Sequence, residues 1–191
     1  MTMARNLIRR MARVVASVAA AASVVAFASG CVPNGVAVGD TQSVEPSIQH
    51  DGVDVWDAII IYVGSTAESA TDRPVVNALQ RSGLNTAYMS MQGIDAASGN
   101  RAIVDATNRN LSAVMIGPND VNAFRDGLVT AREAGYPVIL VDPTAPVTLD
   151  ETLYAAVFHV TDDPSAPTIH DAAIQVIDDH AHDKAMDVRL D

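Results

Sequence analysis

From residue 56 onward, short apolar runs alternate with segments in which apolar residues recur at helical spacing. The runs are rich in β-branched residues, which is typical of strands buried on both faces of a sheet. Glycines at Gly83 and Gly135 follow two of the helical segments and indicate where those helices end. Strands are predicted at 58–63, 85–91, 113–116, 138–141 and 154–160. Helices are predicted around 75–83 and at 100–108, 121–134 and 168–184.

Strands that alternate with helices of this length predict βαβ units and a parallel sheet. We therefore expect an α/β fold, a three-layer sandwich of the Rossmann-like or flavodoxin-like kind in which helices flank a parallel β-sheet. In such sheets the ligand site lies beyond the carboxyl ends of the strands. Small polar residues follow four of the predicted strands at those ends, at 64–66, 117–120, 142–144 and 161–163.

The N-terminal residues have a different character. Arg9 and Arg10 precede an apolar run at 14–27, and Ala28-Ser29-Gly30-Cys31 follows it. This order indicates a secretory signal. Its ending resembles the lipobox of bacterial lipoproteins, which implies cleavage before Cys31 and acylation of its sulfur. The alternatives are an uncleaved anchor, for which the run falls short of roughly 20 apolar residues, and an ordinary signal peptide followed by an unused thiol.

These features divide the chain into three parts. Residues 1–30 are the predicted signal peptide, and residues 31–55 are the predicted lipidated cysteine and flexible tether. The tether is predicted because 32–55 mixes Gly, Pro, Ser and Asp without a sustained period. Residues 56–191 form a single predicted α/β lobe. We expect the protein to be lipid-anchored to the cell membrane and to face its extracytoplasmic side, in the periplasm or at the cell exterior.

The charge of the chain argues against one class of partner. Of the 12 basic residues, Arg5, Arg9, Arg10 and Arg13 lie in the predicted signal peptide, so the remainder carries 8 basic and 23 acidic residues, a formal net charge of −15. Nucleic acid is not an expected partner, because affinity for phosphate depends on clustered Lys and Arg. The single cysteine allows no disulfide within the chain, so stability must come from a packed core.

Sequence motifs of several enzyme classes are missing. No Gly-x-Gly-x-x-Gly opens the first predicted helix, and the chain contains neither a Walker-type Gly-Lys-Ser/Thr nor a Gly-x-Ser-x-Gly nucleophile elbow. A receiver domain would carry a lysine after its last strand, whereas the single lysine, Lys184, lies in the tail. We expect neither enzymatic activity nor a cofactor.

The middle of the chain carries a family resemblance. Residues 103–120, IVDATNRNLSAVMIGPND, and residues 130–142, TAREAGYPVILVD, contain two predicted helices and two apolar strands that end in polar residues. This pattern resembles the type I periplasmic binding proteins of the ribose and galactose class, over about residues 56–163. The resemblance implies a substrate-binding lipoprotein of a carbohydrate ABC transporter. It also implies a sugar-like ligand and a transporter permease as partners.

The resemblance further implies ligand-binding residues at the four polar turns. Asp142 matches the aspartate that hydrogen-bonds sugar hydroxyls in this family, and a carboxylate accepts two hydroxyls at once. The other implied contacts are Ser65, Thr66, Asn119, Asp120, Thr161 and Asp162. An alternative role for the last four is helix N-capping, for which these residue types are preferred.

The chain also departs from the family pattern. No aromatic residue lies within 64–83, where family members carry a ring that stacks on the sugar, and Pro143 stands where an arginine is common. A full member closes two lobes over its ligand, and we expect only the first lobe here. The alternative function is therefore a truncated remnant, or a lipoprotein that contacts a partner and has no ligand clamshell of its own.

A third and less favoured function is metal binding by the tail. Asp178, Asp179, His180, His182 and Asp183 are close in sequence. Metal ligands must converge in space, whereas His180 and His182, two residues apart on the predicted helix, point in different directions. We expect no metal site.

Overall fold

The structure is a computed structural model that describes residues 35–41, 57–67, 70 and 72–190. The predicted signal peptide, Cys31 and the rest of the predicted tether lie outside the described residues. No helix in the described part is long and apolar enough to cross a membrane. The described strands are β1 (Ile59–Val63), β2 (Asn85–Met89), β3 (Ala113–Ile116), β4 (Val138–Val141), β5 (Ala156–Val160) and β6 (Ala185–Val188). The described α-helices are α1 (Asp72–Arg81), α2 (Ala96–Thr107), α3 (Arg125–Glu133) and α4 (Ile169–Ile177), with 3-10 turns at Val121–Phe124 and Glu151–Leu153.

The six described strands form one sheet in the order β2-β1-β3-β4-β5-β6, and every neighbouring pair is parallel. The first five follow the 2-1-3-4-5 order of flavodoxin-like folds. In that order the chain reverses direction between β1 and β3, which leaves a crevice at the carboxyl ends of these two strands. The predicted α/β sandwich with a parallel sheet is confirmed.

The hydrophobic core fills two layers, one on each face of the sheet. Alternate residues of a strand point to opposite faces, so Ile60 and Tyr62 join one layer while Ile61 and Val63 join the other. Helices α1 and α4 cover the first face, and α2 and α3 cover the second. Every residue of β3 and β4 is buried, as the continuous apolar runs predict.

The connection from β5 to β6 has the opposite hand to the earlier helical connections. The β1–α1–β2 unit runs toward one edge of the sheet with α1 on the first face, and β3–α3–β4 runs toward the other edge with α3 on the second face, so these two share one hand. The β5–α4–β6 unit runs in the same direction as β3–α3–β4, but α4 lies on the first face. Parallel connections nearly always share one hand, so β6 is joined to the sheet in a rare way.

The predicted helix at 168–184 was wrong in its second half. Helix α4 ends at Ile177, and Asp179 has a φ of 57°, a left-handed conformation that does not continue a helix. The chain then forms β6, which the sequence did not predict because Ala185–Val188 is mostly exposed, contains Asp187 and lacks the continuous apolar run that indicates β3 and β4. Helix α2 begins at Ala96, earlier than predicted, and the Asp95 side chain caps it by accepting a hydrogen bond from the Ser98 amide.

Residues 35–41, which fall in the predicted tether, pack at the amino ends of the strands. We call this segment the strap. Gly39 has a φ of 76°, and a Cβ there would lie 2.8 Å from Pro137, which precedes β4, and 2.9 Å from the carbonyl oxygen of Val176 in α4. The close approach requires glycine at this position. The strap therefore sits at the opposite end of the sheet from the polar turns.

Candidate ligand-binding site

A cleft of about 590 Å³ opens at the carboxyl ends of β1 and β2, beside the start of α1. Small-molecule sites commonly have volumes in this range and contain a few polar groups that fix the orientation of the ligand. This cleft presents hydroxyl, amide and guanidinium groups together with an aromatic ring. The described residues that line it are Ser65, Ala67, Asp72, Arg73, Val76, Asn77, Tyr88, Ser90 and Gln92.

Asp72 is the buried carboxylate of the cleft and is 3% exposed. It is the first residue of α1, where the helix dipole favours a negative charge. Its Oδ2 accepts hydrogen bonds from the Ser65 amide at 2.9 Å and from the Tyr88 hydroxyl at 3.0 Å. Its Oδ1 accepts one from the Tyr62 hydroxyl at 3.4 Å. The carboxylate thus ties both strands to the start of the helix and fixes Tyr88 at the cleft.

Tyr62 and Tyr88 are register partners on adjacent strands. Their ring centroids lie 6.2 Å apart with an interplanar angle of 28°, a stacked arrangement. Tyr62 is fully buried, whereas Tyr88 is 48% exposed and lines the cleft. Tyr88 therefore offers aromatic surface to a ligand, and the buried tyrosine supports it from behind.

Two glycines make room for the hydroxyls of these tyrosines. A Cβ at Gly64 would lie 2.6 Å from the Tyr88 hydroxyl oxygen. A Cβ at Gly117 would lie 2.6 Å from the Tyr62 hydroxyl oxygen and 2.9 Å from Oδ1 of Asp72. Both distances are too short for nonbonded heavy atoms, so a side chain at either position would displace the tyrosine beside it. Both glycines directly follow a strand, and both belong to the predicted polar turns.

The two phenols of the site are held in their protonated form. Burial raises the pKa of Tyr62 far above its ordinary value of 10.0, and the charge of Asp72 and the hydrogen bond to it raise that pKa further. Burial also raises the pKa of Tyr88, again with help from Asp72, while a hydrogen bond with Ser90 opposes the rise. Both hydroxyls therefore remain donors to the Asp72 carboxylate at neutral pH.

Among the predicted ligand residues, Ser65, Thr66 and Asn119 lie together. Ser65 lines the cleft. Asn119 is 2% exposed, and its side-chain oxygen accepts a hydrogen bond from the Thr66 amide at 2.8 Å. Its amide nitrogen donates to the carbonyl oxygens of Gly64 and Gly117, each at 3.1 Å. Asn119 thus braces the crevice between β1 and β3, and its hydrogen-bonding groups face the protein.

Asp120 and Asp142 lie farther along the same edge of the sheet. Asp120 caps the first 3-10 turn by accepting hydrogen bonds from the Asn122 amide at 3.2 Å and side chain at 2.8 Å. Asp142 has a φ of 44°, and its Oδ1 accepts a hydrogen bond from the Val160 amide at 3.2 Å. The same oxygen lies 3.8 Å from Nδ1 of His159. Asp142 thus ties the end of β4 to β5 and remains partly exposed.

Thr161 and Asp162 line a separate groove of about 390 Å³, together with Arg81 and Arg189. The Thr161 hydroxyl oxygen accepts a hydrogen bond from the Asp163 amide at 3.2 Å. All seven predicted residues therefore lie at the carboxyl ends of strands, but they do not surround one cavity. Ser65 is the one predicted residue in the described lining of the cleft. Thr66 and Asn119 are joined by a hydrogen bond next to Ser65, outside that lining, and Asp120, Asp142, Thr161 and Asp162 also lie outside it.

Sequence reasoning missed Asp72 and Tyr88, the two residues that define the cleft. Residues 64–83, where the family pattern places the aromatic ring, contain none, and Tyr88 of β2 supplies the ring instead. The sequence carried no local signal for this role of Tyr88, because its pairing with Tyr62 across β1 and β2 exists only in the folded sheet.

The tail residues considered for metal binding lie on the loop between α4 and β6, and not on a helix. His182 is buried and contacts the strap. Within the described residues, no group of three or more His, Cys, Asp or Glu side chains is arranged to hold a metal ion.

Comparisons with known proteins identify no family. No protein-family model matches the sequence, and no curated protein matches it. Among solved structures, an ABC sugar transporter subunit from Rhodobacter sphaeroides 2.4.1 is similar to this chain with a TM-score of 0.44 and 13% sequence identity. The match covers 55% of this chain and 36% of that one, so the chain spans little more than a third of that structure's length. Similarity at this level carries no conclusion about function.

Proposed function

We propose that this chain is an extracytoplasmic solute-binding lipoprotein that holds a small, uncharged, hydroxyl-rich molecule such as a sugar in the cleft beside Tyr88. One observation carries the proposal: the cleft is lined by several neutral hydrogen-bonding side chains together with a half-exposed aromatic ring. Sugar hydroxyls need hydrogen-bond partners, and the apolar face of a sugar ring packs on an aromatic ring.

Most polar side chains that line the cleft are neutral, which suits an uncharged ligand. Asp72 already accepts hydrogen bonds from the Ser65 amide and from both tyrosines, so its oxygens are engaged within the protein. Arg73 is the one cationic side chain among the described lining residues. The other polar side chains of the lining are neutral: Ser65, Asn77, Tyr88, Ser90 and Gln92.

The N-terminal sequence supports export and attachment to the membrane. The basic start, the apolar run and the Ala28-Ser29-Gly30-Cys31 ending support lipidation of Cys31 and a position on the extracytoplasmic face of the cell membrane. In this proposal the partner is the permease of an ABC transporter, to which the protein supplies the solute. High affinity requires burial of most of the ligand surface, so we propose that the permease or a second lobe completes the enclosure of the cleft.

A panel of mono- and oligosaccharides tests solute binding by the purified full-length chain. The melting temperature is measured with each sugar in a detergent that lacks a sugar headgroup, so that the detergent does not compete for the cleft. At least one sugar should raise the melting temperature, because a ligand that binds only the native state stabilises it. If no sugar raised the melting temperature of the folded protein, the result would contradict the proposal and favour a truncated remnant without a ligand.

Matched variants locate the binding site. Tyr88→Ala should abolish the sugar-induced rise in melting temperature. Tyr136→Ala should still show that rise, because the Tyr136 hydroxyl donates to the Arg109 carbonyl oxygen away from the cleft. Asn77→Ala should weaken the response, and Asn108→Ala, at the end of α2, should not. If both variants of either pair lost the sugar-induced rise in melting temperature to the same extent, the sugar would not be bound in the cleft.

The anchor is tested separately from ligand binding. Mass spectrometry of the mature N-terminal peptide should find acyl chains on Cys31, and Cys31→Ser should release the protein from membranes. Recovery of an uncleaved N-terminus would instead support the alternative of a membrane anchor.

A further inference from the structure

The strap is held on the domain by both side-chain and backbone contacts. The side chain of Asp40 in the strap is 4% exposed, and its Oδ2 lies 2.5 Å from Nζ of Lys184. The carbonyl oxygen of Thr41 accepts a hydrogen bond from the His182 amide at 2.6 Å. Together with the close approach of the backbone at Gly39, these contacts make the strap part of the domain surface.

The residues that bind the strap lie at the amino ends of the strands. Lys184 directly precedes β6, and its Nζ also donates to the carbonyl oxygen of Tyr154, just before β5, at 2.5 Å. Pro137, which packs against Gly39, directly precedes β4. The cleft lies at the carboxyl ends of β1 and β2. The strap and the cleft are therefore separated by the length of the strands, about 17 Å for β1.

The chain between Cys31 and the strap is short. Gly35, the first residue of the strap, follows Cys31 by four residues. Four residues span at most about 14 Å at ~3.6 Å each. Asp57, just before β1, follows Cys31 by 26 residues, and a flexible chain of that length has a root-mean-square span of about 28 Å. The docked strap therefore determines how far the domain can lie from a lipid anchor on Cys31.

We propose that the docked strap holds the amino ends of the strands against the membrane surface and directs the cleft away from it. This inference rests on the lipidation of Cys31 in the proposed function. The partner of this face is the lipid surface, and the short chain before the strap imposes the contact. Charge does not impose it, because 8 basic and 23 acidic residues after Gly30 offer anionic headgroups no net attraction.

In this orientation the cleft faces the solution from which solutes arrive. A second lobe can reach the cleft there, whereas the membrane-embedded part of a permease cannot reach it while the strap is docked. Of the two partners proposed to enclose the ligand, the second lobe therefore fits the docked strap. Transfer of the solute to the permease then requires release of the strap, or contact with parts of the permease that extend out of the membrane.

Energy transfer from the full-length lipoprotein to labelled lipid tests the orientation. Cys31 is the only cysteine and is acylated in the proposal, so an introduced cysteine is the single site for a thiol-reactive dye. Ala97→Cys places the dye in the first turn of α2, at the carboxyl ends of the strands, and Asn110→Cys places it after α2, at the amino ends. Both positions are exposed.

The labelled lipoprotein is bound to phosphatidylcholine vesicles that carry an acceptor dye on a lipid headgroup. Energy transfer from Asn110→Cys should exceed that from Ala97→Cys at least about twofold, because α2 spans about 18 Å between the two positions. Equal transfer from the two positions would overturn the proposal.

Two insertions of the same flexible Gly/Ser linker, about 15 residues long, separate a docked strap from a simple tether. Between Pro33 and Asn34 the linker lengthens the chain before the strap, so it should lower transfer from Asn110→Cys at least about twofold. Between Ser47 and Ile48 it lengthens the chain after the strap, so transfer should stay as in the parent protein. Neither insertion lies within the strap or the sheet, so both proteins should fold.

Equal effects of the two insertions would also overturn the proposal, because a simple tether responds to added length at either position. Mass spectrometry of the same samples separates this failure from failure of the proposed anchor. An unacylated Cys31 would refute the anchor and this inference together. An acylated Cys31 with equal effects of the two insertions would refute only the orientation.

Discussion

The Asn119 side chain binds the backbone amide of Thr66 at 2.8 Å, across the crevice between β1 and β3. The same side chain donates to the carbonyl oxygen of Gly64 at 3.1 Å. One buried amide thus satisfies a donor and an acceptor of the turn after β1, a turn that has no regular secondary structure to pair with. In flavodoxin-like folds ligands bind at this crevice. Here a protein side chain crosses it, and the open cleft lies beside β2.

Asn119→Ala should lower the free energy of unfolding by about 2 kcal/mol. The substitution leaves buried backbone groups without partners, and each unsatisfied group costs about 1–3 kcal/mol. Urea unfolding measures the change. Asn108→Ala removes an asparagine from an exposed helix end and should change stability by no more than about 0.5 kcal/mol. Equal effects of the two substitutions would show that Asn119 is not a brace.

Gly117→Ala should destabilise the protein by about 1–3 kcal/mol, the usual cost of overpacking. The added Cβ would lie 2.6 Å from the Tyr62 hydroxyl oxygen, and both groups are surrounded by core. The double variant Gly117→Ala with Tyr62→Phe should recover part of that loss relative to the sum of the single changes, because phenylalanine lacks the clashing oxygen. A strictly additive double-mutant cycle would show that the clash does not determine the cost.

The sequence predicted the layers of this fold better than it predicted the site. Continuous apolar runs specify β3 and β4, because a strand buried on both faces has little room for polar residues. The tail was different: residues 178–184 join α4 to β6, and the left-handed φ of Asp179 ends the helix without a glycine or proline. Only the folded backbone shows this break.

The site depends on distances between strands, which no local pattern specifies. The polar turns were correctly expected at the carboxyl ends of strands, but the sequence does not distinguish an asparagine that braces two turns from one that binds a ligand. Asn119 is an example, because its partners lie more than 50 residues away at Gly64 and Thr66. Tyr88 was missed for the same reason, since its role follows from the strand pairing that places it beside Tyr62 and Asp72.

Stability should fall as the pH rises above about 10. Burial raises the pKa of Tyr62 above 10.0 in the folded state, so the unfolded chain loses that proton first and the native state binds more protons. The contribution of Tyr62 to the free energy of unfolding is complete below about pH 10. Above that pH it decreases by up to about 1.4 kcal/mol per pH unit for a single group. Urea midpoints between pH 9 and 11 measure this slope.

Tyr62→Phe should make that alkaline decrease shallower, since phenylalanine has no proton to lose. The pKa values of Tyr88 and Tyr154 are also raised, so a smaller slope should remain. A slope that is unchanged by Tyr62→Phe would contradict the assignment.

Asp142→Asn and Asp142→Ala should differ in stability. Asparagine tolerates a positive φ and keeps an oxygen that can accept the hydrogen bond from the Val160 amide. Alanine does neither, so it should cost about 1–2 kcal/mol in urea unfolding, while asparagine should cost less than half of that. The pair also tests the predicted ligand contact, because Asp142→Asn removes the charge without removing the tie to β5. Weaker sugar binding by this folded variant would identify Asp142 as a ligand residue, and unchanged binding would leave it a structural one.

Lys184→Met should destabilise the strap more than removal of the whole charge pair does. Asp40 is 4% exposed at its side chain and pairs with Lys184, the only lysine of the chain. Loss of one partner from a buried pair typically costs about 3–5 kcal/mol because a charge is left uncompensated. The strap can undock and rehydrate Asp40, which should limit the measured loss to about 2–3 kcal/mol.

The double variant Asp40→Asn with Lys184→Met removes both charges, so it should recover at least about 1 kcal/mol relative to Lys184→Met alone. Arg101→Met, at an exposed cation on α2, should stay within about 0.5 kcal/mol of the wild type. Exchange of the His182 amide, which donates to Thr41 in the strap, reports undocking separately from global unfolding. Faster exchange in Lys184→Met, reversed in the double variant, is the expected result. Unchanged exchange in Lys184→Met would show that the ion pair does not hold the strap.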